Sequence, residues 1–206
     1  MDKRGAVILS GGKGRRIGAP KAFIKLNGEP LILHVLEKVK KEVGEIIVVI
    51  DRDDDPSSYA SILPSGVLIV KDYMAGIGPL AGIFTGMQNL KTEYAVVLPC
   101  DTPFVKESVI KFLFDVASGV DAAVPRWPNR YIEPLQAVYR VVSSLRAARR
   151  ALEEGERRVY GMIKRLGKVL YISVEELRRL DPDLLTFFNV NTEGNLERAR
   201  LLLKEL

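Results

Sequence analysis

Cysteine and histidine each occur once in the 206 residues, as Cys100 and His34. One cysteine excludes an intramolecular disulfide and a thiolate metal cluster. His34 falls in a helix-periodic stretch with no partner for a zinc site or a Ser-His-Asp triad, and it is read as a helix-surface residue. No apolar run is long enough to span a bilayer, and Met1-Asp2-Lys3-Arg4 leads directly into the first apolar run without a signal peptide. No membrane association and a cytoplasmic location are therefore expected. Glutamine is scarce too, with only Gln88 and Gln136 beside abundant Lys, Arg and Glu, a balance associated with heat-stable proteins. Internal repeats, low-complexity tracts and Gly/Pro/Ser linkers are all missing, which leaves one domain, 1–206, as the expectation. The excess of positive charge is small, 31 Lys and Arg against 26 Asp and Glu, and the basic residues are dispersed. No nucleic-acid partner is expected, although anionic small molecules suit the balance.

What is present is organised around Leu9-Ser10-Gly11-Gly12-Lys13-Gly14-Arg15-Arg16-Ile17-Gly18-Ala19-Pro20-Lys21. The preceding Ala6-Val7-Ile8-Leu9 is the short apolar run of a buried parallel strand. Glycines there let backbone N–H groups close on an anion with no Cβ in the way. Arg15, Arg16 and Lys21 add permanent positive charge for phosphate oxygens. A Walker A loop is excluded because Gly14, not Ser or Thr, follows Lys13. The dinucleotide fingerprint is excluded because its third glycine position holds Ile17.

Further apolar runs, Ile46-Ile50, Val67-Val70 and Tyr94-Leu98, alternate with amphipathic stretches. In the first of these stretches Leu31, Ile32, Val35, Leu36 and Val39 share a face, with Pro30 expected in the helix's first turn. Strand–helix alternation with short connections predicts a three-layer α/β/α fold around a mostly parallel sheet. Ligands of such sheets sit beyond the carboxyl ends of the strands. The glycine loop, Asp51, Asp72 and Asp101 all fall at that edge.

The second half is read as a helix from Val105 to Gly119, a strand at 121–125 and a second strand from Glu133 to Tyr139. A basic helix reaches Glu154, a strand covers 168–172, and a last helix is N-capped by Thr192. Between the first two of those strands, residues 126–131 carry two arginines and two large aromatics, a composition that suits flat anionic ligands; Trp127 could equally serve as packing. A nucleotide-binding half, 1–104, is thus expected to be followed by an acceptor-binding half, 105–206. Asp101, at the end of a buried strand, is the best candidate ligand for a divalent cation bridging phosphates.

Five segments recur together in order: Leu9 to Lys21, Gly78-Pro79-Leu80-Ala81-Gly82, Pro99-Cys100-Asp101-Thr102-Pro103, Gly155-Glu156-Arg157-Arg158-Val159 and Phe188-Asn189-Val190-Asn191-Thr192. With them the chain resembles the molybdenum cofactor guanylyltransferases and their Rossmann-like nucleotidyltransferase fold. The resemblance implies transfer of GMP from GTP to molybdopterin cofactor, with release of pyrophosphate and dependence on Mg²⁺. It implies that Leu9, Ser10, Gly11, Gly12, Asp51 and Asp72 hold the nucleotide and that Asp101 binds the metal. Lys21, helped by Arg16, would contact the phosphates, and these two with Asp101 would form the catalytic group. Asn189, Asn191, Arg157 and Arg158 would face the acceptor. Asp51 stands where the family often has asparagine, and Ser10 replaces a usual alanine. A monomer is expected, in transient contact with molybdopterin-delivering proteins and molybdoenzymes. A related cytidylyltransferase, a sugar-phosphate nucleotidyltransferase and a non-catalytic nucleotide-binding regulator are the competing readings.

Overall fold

The computed structural model describes residues 4–11, 20–72, 74 and 78–205. The chain runs β1 (Arg4–Leu9), β2 (Lys25–Leu26), β3 (Glu29–Pro30), α1 (Leu31–Val39), β4 (Glu45–Asp51), α2 (Pro56–Ala60), β5 (Val67–Asp72), α3 (Pro79–Gln88) and β6 (Tyr94–Pro99). It continues through α4 (Glu107–Val116), β7 (Ala122–Arg126), β8 (Ala137–Arg140), α5 (Val141–Glu153), α6 (Val159–Ile163), β9 (Val169–Ser173), α7 (Val174–Leu177) and α8 (Glu193–Glu205). Single 3-10 turns at Lys21–Phe23 and Leu185–Phe187 complete the order.

Seven strands form one sheet in the order β5-β4-β1-β6-β8-β7-β9, and β8 alone runs against the rest. The apolar runs become central strands because both their faces are covered. In β1, Ala6 and Ile8 face the α1–α4 layer while Val7 faces the α3–α5 layer; Val48 and Val49 in β4 divide the same way. Each aliphatic side chain so enclosed contributes roughly 1.5–3 kcal/mol. The mostly parallel three-layer architecture is the one expected. Among the described residues, no helix is long and apolar enough to cross a membrane.

A third, smaller core joins Ile24, Leu26 and Leu31 to Phe104, Val190, Leu196 and Ala199. It clamps the β2–β3 hairpin against α8. The hairpin turns through Asn27 and Gly28, both at positive φ (51° and 88°), as a two-residue Asn-Gly turn requires.

Several local expectations are corrected. Pro30 caps α1 at ψ 140° instead of entering its first turn. His34 is not a free surface residue: its Nε2 lies 3.0 Å from the Leu26 carbonyl oxygen. The helix expected over Val105 to Gly119 spans only Glu107–Val116. The strand expected from Glu133 begins only at Ala137. Pro134 has no N–H to give a ladder, and the preceding segment turns instead, with Gln136 N donating to Glu133 O at 3.3 Å.

Candidate functional site

Strand polarity gathers the site. β1, β4, β5 and β6 deliver their carboxyl ends to one edge, carrying Leu9, Asp51, Asp72 and then Asp101. β8, being antiparallel, brings its amino end to that same edge: Val97 pairs with Ala137, so Gln136 lies next to the end of β6. A cavity of about 580 Å³ opens there, within the usual range for small-molecule sites. One side is lined by Leu9, Gly11, Asp51, Asp72 and Gly82; Lys21, Asp101, Asn189 and Asn191 line the middle; Tyr131, Glu133, Leu135 and Gln136 line the other side.

Asp101 is 5% exposed. Its Oδ2 accepts from Lys21 Nζ at 2.6 Å, and the same ammonium donates to Asn191 Oδ1. Val190 N donates to Asp101 O at 2.9 Å, which ties the extended Asn189–Asn191 segment to the metal candidate. With Val190 fully buried in the third core, alternation places both flanking asparagines on the cavity, as expected.

Asp51 and Asp72 are register partners on β4 and β5. Asp72 Oδ1 accepts from Met74 N at 3.1 Å and Thr85 Oγ1 at 3.2 Å, so its carboxylate is held against α3. That helix starts at Gly78, whose φ of 104° disfavours a side chain and whose Cβ would stand 3.0 Å from Arg157 O.

Not every expected residue reaches the cavity. Ser10 is buried with its hydroxyl donating to Tyr59 Oη at 2.9 Å, behind the site; burial pushes the Tyr59 phenol up. Tyr59 in turn donates to Asp54 at 3.1 Å, joining the residue after β1 to the turn after β4. Arg157 and Arg158 are exposed and do not line the cavity; Arg157 meets it only through the backbone behind Gly78. Gly12 and Arg16 lie outside the described residues. In the 126–131 loop, Arg126 stacks on Tyr171 at 4.9 Å. Trp127 packs on Phe187 with ring centroids 5.7 Å apart, so it serves the core. Its indole N–H donates to Glu133 Oε1 at 2.6 Å.

Cys100 lines the cavity, but burial, with Asp101 adding to it, pushes the thiol up to about 12. It stays protonated at neutral pH and is no nucleophile. No group of three or more His, Cys, Asp or Glu side chains suited to a metal occurs among the described residues. Among the described residues the site therefore offers one buried carboxylate, a lysine and three carboxamides, Gln136, Asn189 and Asn191: a setting for charge neutralisation and positioning.

Of the 126–131 loop, read as suited to flat anionic ligands, Tyr131 alone lines the cavity; sequence reasoning missed Glu133, Leu135 and Gln136. The signal was present in Pro134, which interrupts the strand pattern.

A family model described as MobA-like NTP transferase domain matches residues 6–169. A probable molybdenum cofactor guanylyltransferase from Methanosarcina mazei is 34% identical over 199 residues, covering 94% of this chain and 88% of that protein. A molybdenum cofactor guanylyltransferase from Desulfosudis oleivorans is 34% identical over 206 residues, covering 99% and 98%. Among solved structures, molybdopterin-guanine dinucleotide biosynthesis protein A from Archaeoglobus fulgidus matches with a TM-score of 0.82 at 34% identity, covering 98% of this chain and all (100%) of that one. The 4-diphosphocytidyl-2C-methyl-D-erythritol synthase of Anaerococcus prevotii, at 16% identity and a TM-score of 0.74 over 98% of this chain and 96% of that one, shares the fold.

Proposed function

This chain belongs to the MobA-like NTP transferase family, and on that premise we propose that it transfers GMP from GTP to the molybdenum–molybdopterin cofactor. The products are molybdopterin guanine dinucleotide and pyrophosphate. The observation that carries the reading is the Lys21–Asp101–Asn191 cluster at the centre of the cavity, flanked on one side by the ends of β1, β4 and β5.

In the reaction a terminal phosphate oxygen of the acceptor attacks the α-phosphorus of GTP. The bond from that phosphorus to the bridging oxygen breaks, and pyrophosphate departs with the electron pair. The attacking group is already anionic, so no general base is required, which suits a site without histidine. The residue pattern implies a divalent cation, and the donors fit Mg²⁺. All are hard oxygens, and a lone buried carboxylate with neutral amides suits an ion that keeps waters and takes its other ligands from phosphate. Asp101 would hold it, with Asn189 and Asn191 as neighbouring oxygen donors; when bound, it supplies Lewis-acid neutralisation of the phosphates. Lys21 supplies a mobile positive charge for the phosphate oxygens, and Asp72 and Asp51 bound the nucleoside side. Leu9 and Gly11 present the backbone that ends β1 beneath it.

The deciding test is metal-dependent pyrophosphate release with GTP, and with CTP and ATP as controls, in the presence of molybdopterin. GTP-specific release supports the reading; release with CTP alone would replace it with cytidylyl transfer. An Asp101→Asn variant should lose on the order of 100-fold or more in rate while still folding. Full activity in that variant would remove Asp101 from the chemistry.

A further inference from the structure

Gln136 lines the cavity, and the chemistry above gives it no role. The residue lines the cavity at 3% exposure, and its carboxamide has no hydrogen-bond partner among the described residues. A carboxamide so placed, unpaired within the described residues and reachable from the cavity, is free to pair with a bound ligand. Its location follows from the one reversed strand. β8 enters the sheet beside β6, so Gln136 stands on the far side of Asp101 from β1, β4 and β5. Beside it on the cavity wall stand Leu135, Pro134 and the ring of Tyr131, which is 62% exposed. With Glu133, whose carboxyl accepts from the Trp127 indole, they make a wall of apolar and aromatic residues in which the Gln136 carboxamide both donates and accepts.

We propose that Gln136 reads the acceptor's pterin ring, its carboxamide pairing with the ring's lactam edge while Tyr131 covers a ring face. The assignment rests on the guanylyltransferase reading and adds the acceptor subsite to it. A carboxamide matches an N–H next to a C=O, whereas a phosphate calls for donors only. Guanine carries the same edge as a pterin; the topology separates them, because Leu9, Asp51 and Asp72, at the ends of β1, β4 and β5, lie across Asp101 from Gln136. The pair of ligands thus flanks the carboxylate, one on each side.

The test compares wild type with Gln136→Leu, nearly isosteric and apolar, and Gln136→Ala. Three quantities are measured: GTP affinity with Mg²⁺ by calorimetry, acceptor and GTP KM from pyrophosphate release, and binding of free neopterin to GTP-loaded protein followed by the fluorescence of Trp127. Both variants should raise the acceptor KM and weaken neopterin binding about tenfold, the value of one or two lost hydrogen bonds. GTP affinity, GTP KM and kcat should stay within about twofold. Gln136→Leu should melt within about 2 °C of wild type, because the carboxamide holds no partner among the described residues; a structural glutamine would melt lower. Unchanged acceptor KM and neopterin binding would overturn the proposal. A selective loss of GTP affinity would overturn it as well, moving Gln136 to the guanine. If wild type released no pyrophosphate, the transferase reading would fail, while the neopterin arm would still decide the role of Gln136.

Discussion

The Lys21 ammonium lies 2.6 Å from the Asp101 carboxylate, although 80 positions separate them in the chain. The 3-10 turn that carries Lys21 is held by Ala22 and Phe23 in the α1–α4 core, while Asp101 is fixed by the end of β6. The two groups proposed to deal with phosphate and metal are therefore neutralised by each other in the free protein. For a cation to take Asp101, the ammonium has to move off it, and the incoming phosphates are its natural destination.

That exchange makes Lys21→Met informative in two directions. GTP transfer should be abolished or fall by at least about 100-fold. Binding of Mn²⁺ to nucleotide-free protein, followed by electron paramagnetic resonance, should instead tighten, because the competing ammonium has gone. The variant should also lose about 1–3 kcal/mol in denaturant unfolding, since the Asp101 side chain, 7% exposed, is left without its cation. Weaker Mn²⁺ binding in the variant would show that Lys21 supports the metal site instead of occupying it.

Two glycines of α3 separate packing from binding. A Cβ on Gly86 would stand 2.4 Å from Val7 Cγ1 and 3.0 Å from Val49 Cγ2, inside the sheet-facing core. Gly86→Ala should destabilise by about 1–3 kcal/mol despite alanine's better helix propensity. At Gly82 the new methyl would stand 3.0 Å from Leu9 Cδ2 and 3.8 Å from Asp72 Oδ2, on the nucleotide side of the cavity. Gly82→Ala should raise the GTP KM several-fold with a smaller effect on melting. Equal thermal shifts in the two variants would contradict this division.

Trp127 is the only tryptophan and donates to Glu133, so its fluorescence reports that carboxyl. Burial raises the Glu133 carboxyl above its ordinary 4.5, partly opposed by the indole hydrogen bond. The folded state then holds the proton to higher pH than the unfolded chain. Stability from this group is accordingly full below the unfolded value and falls as pH rises through the folded one. An acid titration of Trp127 emission should show a midpoint above 4.5, and Glu133→Gln should remove the transition. A midpoint at or below the ordinary glutamate value would contradict the burial argument.

On the opposite side of the sheet from α1, Ser144 of α5 is fully buried and its hydroxyl has no partner. Ser144→Ala removes an unpaired polar group and improves helix propensity, so it should stabilise by about 0.5–1.5 kcal/mol in chemical denaturation. Transfer activity should not change, since α5 does not line the cavity. A destabilised variant would mean that the hydroxyl is paired after all.

Much of this was legible from local pattern. Ala6–Leu9, Ile46–Ile50 and Tyr94–Leu98 read as doubly covered strands because an apolar run without alternation has few other folded solutions. The residues at their carboxyl ends read as site residues because parallel sheets bind ligands there. Asn189 and Asn191 could be placed on one side by the two-residue period alone. Periodicity, however, carries no direction. It could not tell that β8 runs against its neighbours, so it hid Gln136 inside a supposed strand. Nor could it tell that Ser10 turns back to Tyr59, that Arg157 and Arg158 stay outside, or that Lys21 closes on Asp101. Those outcomes depend on which strands become neighbours and which cores clamp the connections, interactions between segments 49 to 170 positions apart that only the packed molecule brings together.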